Sequence, residues 1–197
     1  MELSMSNIRN DRRIKYTKMV LKESFINLLK EKPLSKITIK EICENADINR
    51  ATFYAHYRDQ YDLLHQIEQE LIDGINQYLG DYAFSDTVDI SVEALEQIFT
   101  YIKQNAKICT ILLGDSGDDH FRQQVMRIVR DQCVAAWTIN KALAPEDAEY
   151  SYAFAIEGSV GLIQKWLADG GTKSARAMAE LILQITNYGL SGFEKEM

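Results

Sequence analysis

Between Arg50 and Tyr57 the chain reads Arg50-Ala51-Thr52-Phe53-Tyr54-Ala55-His56-Tyr57. On a helix this run turns Phe53 towards a core and leaves Arg, Thr, Tyr and His at exposed positions. Those side chains donate hydrogen bonds to phosphate oxygens and to base edges. The chemistry on offer is therefore recognition of nucleic acid, not bond making. The preceding stretch, Thr38-Ile39-Lys40-Glu41, carries the spacing of a capping box, with Thr38 as N-cap and Glu41 reaching back.

Other constellations are weaker. Gly114-Asp115-Ser116-Gly117 spells the tetrapeptide around the nucleophile of trypsin-like serine proteases. That chemistry needs β-barrels, a partner His and Asp, and an oxyanion hole. Here both flanks are helical, so the stretch reads as a polar loop ahead of a helix. Asp115, Asp118, Asp119 and His120 are ligand types that several cations accept. Clustered Asp before a helix is also what the helix dipole favours, and no metal is assigned. His65 reads as a packed or surface residue. Cys43, Cys109 and Cys133 are odd in number and unpatterned, which fits neither a disulfide framework nor a zinc site. No Gly-x-Gly-x-x-Gly or phosphate loop occurs. No cofactor and no enzymatic activity are expected.

These residues need helices to hold them. Ile14, Thr17, Val20, Leu21, Phe25, Leu28 and Leu29 mark one face of a first helix that ends before Pro33. Thr38 starts a short second helix with Ile39, Ile42, Cys43 and Ala46 inward. After a turn at Asp47-Ile48, Asn49 caps a third, from Arg50 to about Tyr57. Asp59 caps a fourth, with Leu64, Ile67, Leu71, Ile75 and Tyr78 on one face. Beyond a polar connection from Gly80 to Ser91, five more helices follow. Pro145 suits the first position of the eighth, which runs to Gly170-Gly171. The ninth runs from near Ser174 to about Phe193. The expected class is all-α, with about nine helices. Two short helices joined by a tight turn over residues 38–57 form a helix-turn-helix pattern.

Whole-chain charge argues the other way. The 197 residues hold 22 Lys+Arg and 29 Asp+Glu, a net of -7. Split after Arg58, the chain resolves into two regions of opposite sign. Residues 1–58 carry 12 Lys+Arg against 7 Asp+Glu, while residues 59–197 carry 10 against 22. A cationic first region is what phosphate neutralisation requires. Arg9, Arg12, Arg13, Lys15 and Lys18 add a basic arm at residues 1–13 and just beyond. No apolar run reaches the roughly 18 residues of a membrane span, and the start lacks the apolar core of a signal peptide. The expectation is a cytoplasmic protein with no membrane partner.

The runs Thr38-Ile39-Lys40-Glu41-Ile42-Cys43, Ala46-Asp47-Ile48-Asn49 and Ala51-Thr52-Phe53-Tyr54-Ala55-His56-Tyr57, followed by Asp59-Gln60-Tyr61-Asp62-Leu63-Leu64, resemble the DNA-binding domain of TetR-type bacterial transcriptional regulators. The resemblance covers roughly residues 14–75. It implies a three-helix DNA-binding domain there and a helical effector-binding and dimerisation domain over residues 76–197. Thr38 and Lys40 would meet backbone phosphates. Arg50, Ala51, Thr52, Tyr54 and His56 stand where the family touches double-stranded DNA. Tyr57, counted with that set, fits the aromatic position closing the recognition helix and would pack. Gln60 stands where the family usually has Lys, and Arg58 is placed to replace the lost contact.

The resemblance also implies a homodimer, built from the last two helices. Phe154, Gly158, Gly161, Leu162 and Trp166 form a stripe on the eighth. Met178, Leu181, Ile182, Ile185, Tyr188 and Gly189 form one on the ninth. The Gly158 to Trp166 spacing resembles one subgroup of these regulators from Gram-positive bacteria. An effector, either a small molecule or a protein, would bind in a cavity that the family builds from helices five to seven. Its candidate lining is Phe99, Tyr101, Cys109, Phe121, Met126, Trp137, Tyr152 and Glu157. The expected function is a dimeric repressor released from a palindromic operator. The rival expectation is an all-α interaction module, or a partner-dependent activator.

Overall fold

The structure is a computed structural model. It describes residues 2–80, 91–114, 120–127, 130 and 144–191, with side chains from residue 11 to 189. Trp137, Cys133, Ser116, Asp115, Asp118, Asp119 and Phe193 lie outside the described residues. Among those described, every regular element is helical. In chain order they are α1 (Glu2–Glu31), α2 (Ile39–Ala46), α3 (Arg50–Tyr54), α4 (Gln60–Gly80), α5 (Val92–Gln104), α6 (Ala106–Leu113), α7 (residues 120–127), α8 (Pro145–Ala168) and α9 (Ala175–Ser191). The chain forms two compact units, Met1–Glu70 and Leu71–Met197, and the break falls inside α4.

In the first unit α1 begins at Glu2, so the basic stretch expected as an arm is the opening of that helix. No Pro or Gly precedes Lys32 to stop it. Leu21, Phe25 and Leu28 of α1 are buried with Ile37, Ile42, Phe53, Leu63 and Ile67. Ser24 Oγ, buried among them, donates to the Ile42 carbonyl at 2.9 Å and ties α1 to α2. This bond satisfies a hydroxyl that would otherwise be costly to bury. Thr38 and Glu41 form the capping box. The α2–α3 turn is set by Asp47 in the left-handed region (φ 53). Asn49 caps α3, and Asp59 Oδ1 accepts from the Asp62 N–H at 2.8 Å to cap α4.

In the second unit α5 packs along α9 and α6 along α8. Phe99 and Ile102 of α5 are buried, as are Met178, Ala179 and Ile182 of α9. Arg176 of α9 reaches Glu96 of α5 at 3.2 Å. Gly74 on α4 sits under the ring of Tyr101, and a methyl group added there would overlap Cζ, Oη and Cε1, the last at 2.6 Å. Tyr78, one turn on, holds the same ring at 5.9 Å between centroids. The α8–α9 connection turns through Gly170 (φ 75) and Gly171 (φ 63). Lys103 of α5 secures it by donating to the Gly171 carbonyl at 2.8 Å and lying 5.9 Å from the Trp166 ring centre.

Candidate nucleic-acid interface

The short α3 is built as a platform. Phe53 is fully buried, and Tyr57 beyond the helix end is 2% exposed, with the two rings 5.5 Å apart. Burial, then the charges of Glu70 and Asp62, pushes the Tyr57 phenol up to about 12. Its hydroxyl is buried and has no hydrogen-bond partner among the described residues. Tyr57 therefore packs, as its place closing the recognition helix implied, and its ring fills the core behind α3 rather than standing outward. Tyr54 projects outward, 57% exposed, with its ring edge-on to Phe53 at 5.7 Å. Arg50 and Ala51 are exposed, and Thr52 and His56 are half-buried. Phe53 and Tyr57 thus anchor the helix, while Arg50, Ala51 and Tyr54 are left exposed.

Two further cations, near the starts of α2 and α4, are exposed. Lys40 is exposed, within 3.7 Å of Glu44. Arg58 is also exposed, and its guanidinium lies 3.3 Å from Asp62. The Arg58 backbone N–H, and then its side chain, hold the Asp62 carboxyl below the usual range. Exposed pairs of this kind contribute little, so either cation can turn to a phosphate at small cost. Thr38 is more constrained. Its N–H and its hydroxyl both donate to Glu41 Oε2, at 3.0 and 2.8 Å, while the hydroxyl accepts from the Glu41 N–H at 3.3 Å. Both Thr38 donors are engaged, so a phosphate contact through them competes with the cap. Lys32 holds the other carboxylate oxygen. These partners, Lys32 first, lower Glu41 to about 2.

Of the residues expected to line an effector site, Phe121, Met126, Tyr152 and Glu157 fall where α7 meets α8, and Phe99, Tyr101 and Cys109 lie on α5 and α6. Phe99 is buried against Trp166, edge-on at 5.4 Å. Tyr101 lies over Gly74. Cys109 is buried, and that burial pushes its thiol up to about 12. Phe121 is buried, and the Tyr152 hydroxyl donates to the Met126 carbonyl. Glu157 is exposed and paired with Arg122. Among the described residues no group of three His, Cys, Asp or Glu is placed to hold a metal ion. No described helix is long and apolar enough to cross a membrane.

The two stripes expected to pair copies are divided by the fold. Trp166, Met178 and Ile182 are buried within their own unit. Trp166 packs on Phe99 and donates its indole N–H to the Lys173 carbonyl at 3.0 Å, so all three serve the core rather than an outer face. Phe154 is 80% exposed and Tyr188 72%, and Ile185 is exposed with them. A Cβ added at Gly158, Gly161 or Gly189 would meet nothing within 4 Å. Leu162 and Leu181 are half-buried. Tyr150, one turn before Phe154, is also exposed. Spacing alone did not single it out, although it stands four residues before Phe154.

Known proteins agree with this layout. The pattern of bacterial regulatory proteins of the tetR family matches residues 26–67. A transcriptional regulator C-terminal region pattern, TetR_C_8, matches residues 91–188. The HTH-type transcriptional regulator YxbF of Bacillus subtilis (strain 168) is 22% identical over 179 residues, covering 87% of this chain and 46% of that protein. The chain thus spans about half the length of the curated relative it matches. A TetR transcriptional regulator from Streptococcus agalactiae 2603V superposes with a TM-score of 0.60 at 24% identity, over 91% of this chain and 98% of its own. DhaS, a dihydroxyacetone kinase operon activator, superposes at 0.59 with 14% identity, over 91% and 98%. The chain belongs to the TetR family of bacterial regulatory proteins, a class of DNA-binding transcriptional regulators.

Proposed function

We propose that the protein is a dimeric repressor that binds a palindromic operator through α3 and leaves it when an effector binds the second unit. The observation that carries this reading is the exposure of Arg50, Ala51 and Tyr54 on a helix anchored by the buried Phe53 and Tyr57. A rigid helix so presented fits the major groove. The same region has 12 Lys+Arg against 7 Asp+Glu, which favours phosphate contact. A recognition helix this short reads few base pairs, so specific binding calls for two copies on a two-fold site. The exposed Phe154, Ile185 and Tyr188 support a second copy seated on α8 and α9, since apolar patches of this kind mark association surfaces. Release follows if the effector prefers one of two conformations and thereby shifts their populations.

The test is DNA binding by fluorescence anisotropy on the gene's own upstream region, across a salt series. Affinity should fall steeply and log-linearly with salt. Arg50→Ala and Tyr54→Ala should weaken it, and unchanged binding would remove α3 from the interface. Light scattering should give twice the 22.6 kDa chain mass. A reporter on the bound promoter should rise when the gene is deleted. If it falls, the protein is an activator, as the structural neighbour DhaS is named.

A further inference from the structure

We infer that Arg122 anchors an organic monocarboxylate in the second unit, with Glu157 holding its place at rest. This deepens, and rests on, the proposal that an effector binds the second unit. Among the described residues, two Arg–Glu pairs follow the seam between α7 and α8, and they are built differently. Arg130, just beyond α7, grips Glu149 with a complete fork. Its Nε donates to Oε2 at 3.1 Å and its Nη2 to Oε1 at 2.5 Å. Arg122 makes half of such a fork. Its Nη2 donates to the single oxygen Oε2 of Glu157. Its Nε is buried and has no hydrogen-bond partner among the described residues.

A guanidinium sets two N–H groups against the two oxygens of a carboxylate, and the paired bonds add energy and direction. A buried N–H left without an acceptor costs about 1–3 kcal/mol. A carboxylate that enters at Arg122 in place of Glu157 gains the second donor, which Glu157 does not engage. Glu157 is well placed to yield. Its side chain is 55% exposed, so the displaced group returns to water, and an exposed pair contributes little. The exchange also cuts a tie between helices, since Arg122 lies on α7 and Glu157 on α8.

The surroundings define the rest of the ligand. Val125 and Met126 lie three and four residues after Arg122, hence on the same side of α7, and both are half-buried. Phe121, beside Arg122, is buried. So is Tyr152, whose hydroxyl donates to the Met126 carbonyl. The apolar surface left at Val125 and Met126 suits a hydrocarbon or aromatic body. Charge sets the number of acidic groups. Residues 59–197 carry 10 Lys+Arg against 22 Asp+Glu, and that excess repels a phosphate dianion more than a monocarboxylate. One guanidinium answers one carboxylate.

The experiment is thermal melting of the full-length protein with hexanoate and benzoate, each beside its neutral amide, at matched ionic strength. At least one carboxylate should raise the melting temperature saturably, and its amide should not. Arg122→Lys keeps the charge but loses the fork, and it should weaken that carboxylate about tenfold. Glu157→Gln removes the competing carboxylate, and it should tighten binding by about two- to fivefold. A pair that serves only the fold would lower the melting temperature in both variants and leave the carboxylate's affinity unchanged. Equal shifts from acid and amide, no shift from either acid, or unchanged affinity in the variants would each overturn the assignment. Operator anisotropy with the same carboxylate separates this inference from the reading it rests on. Release of the DNA sustains both. Binding without release leaves the Arg122 site standing and removes the effector-released repressor.

Discussion

Replacing Gly74 with Ala should change sign with the identity of residue 101. In an unconstrained helix interior the exchange is stabilising, by about 0.8–1.0 kcal/mol, because Gly gives up more backbone freedom than Ala. Gly74 is not unconstrained, since its missing methyl would overlap three atoms of the Tyr101 ring. The ring can escape only by swinging off α4. That forfeits its contact with Tyr78, worth about 0.5–1.5 kcal/mol for an aromatic pair. With the strain of overpacking, the total cost is about 1–3 kcal/mol. Gly74→Ala alone should therefore be neutral to destabilising, by up to about 2 kcal/mol. In a Tyr101→Ala background the obstacle is gone, and the same exchange should raise stability by about 1 kcal/mol. The difference is a coupling energy of about 1–3 kcal/mol, well above the few tenths expected of independent sites. Urea unfolding of the four proteins of the cycle at one fixed protein concentration measures it, because the apparent stability of any self-associating chain depends on concentration. Equal shifts of the midpoint in both backgrounds would refute the seating of Tyr101 on Gly74.

Three further expectations follow from the geometry. Glu41 is held at about 2 in the folded protein, so its contribution is fully present above the ordinary carboxylate pKa and fades as pH falls towards 2. Glu41→Gln should flatten that part of the stability profile, read by thermal melts between about pH 5 and 2. Lys103→Met keeps much of the aliphatic stem but removes the bond to Gly171, and it should cost about 1.5–3 kcal/mol, measured by denaturant unfolding. Phe154→Lys with Tyr188→Lys should shift light scattering from dimer towards monomer at constant helicity. An unchanged mass would mean that the copies pair elsewhere.

What could be read along the chain was local. Thr38 with Glu41, Asn49 with Thr52 and Pro145 at the head of α8 each act within three or four residues. Their identities alone imply the geometry observed. The exposed side of α3 was legible for the same reason, because Phe53 and Tyr54 are neighbours whose different exposures follow from helical phase. Tyr57 packs against Phe53, four residues before it, as expected, although the helix itself ends at Tyr54 rather than near Tyr57. The α9 stripe shows a second limit. Met178 and Ile182 turn to α5, whereas Ile185 and Tyr188 turn outward. All are apolar, so composition cannot separate a core-facing row from one that awaits a partner. Ser24 with Ile42 and Lys103 with Gly171 join residues 18 and 68 positions apart. Only tertiary packing brings such pairs together.

The surroundings of Trp166 give the protein an internal optical probe. Its indole is buried, stacked edge-on to Phe99, lies beside the Lys103 ammonium and is bonded to the Lys173 carbonyl. The emission of an indole so enclosed is blue-shifted, and it moves to the red once water reaches the ring. With Trp137 replaced by Phe, the remaining fluorescence would report opening of the α8–α9 turn alone. Candidate effectors could then be screened by colour, without DNA in the cuvette.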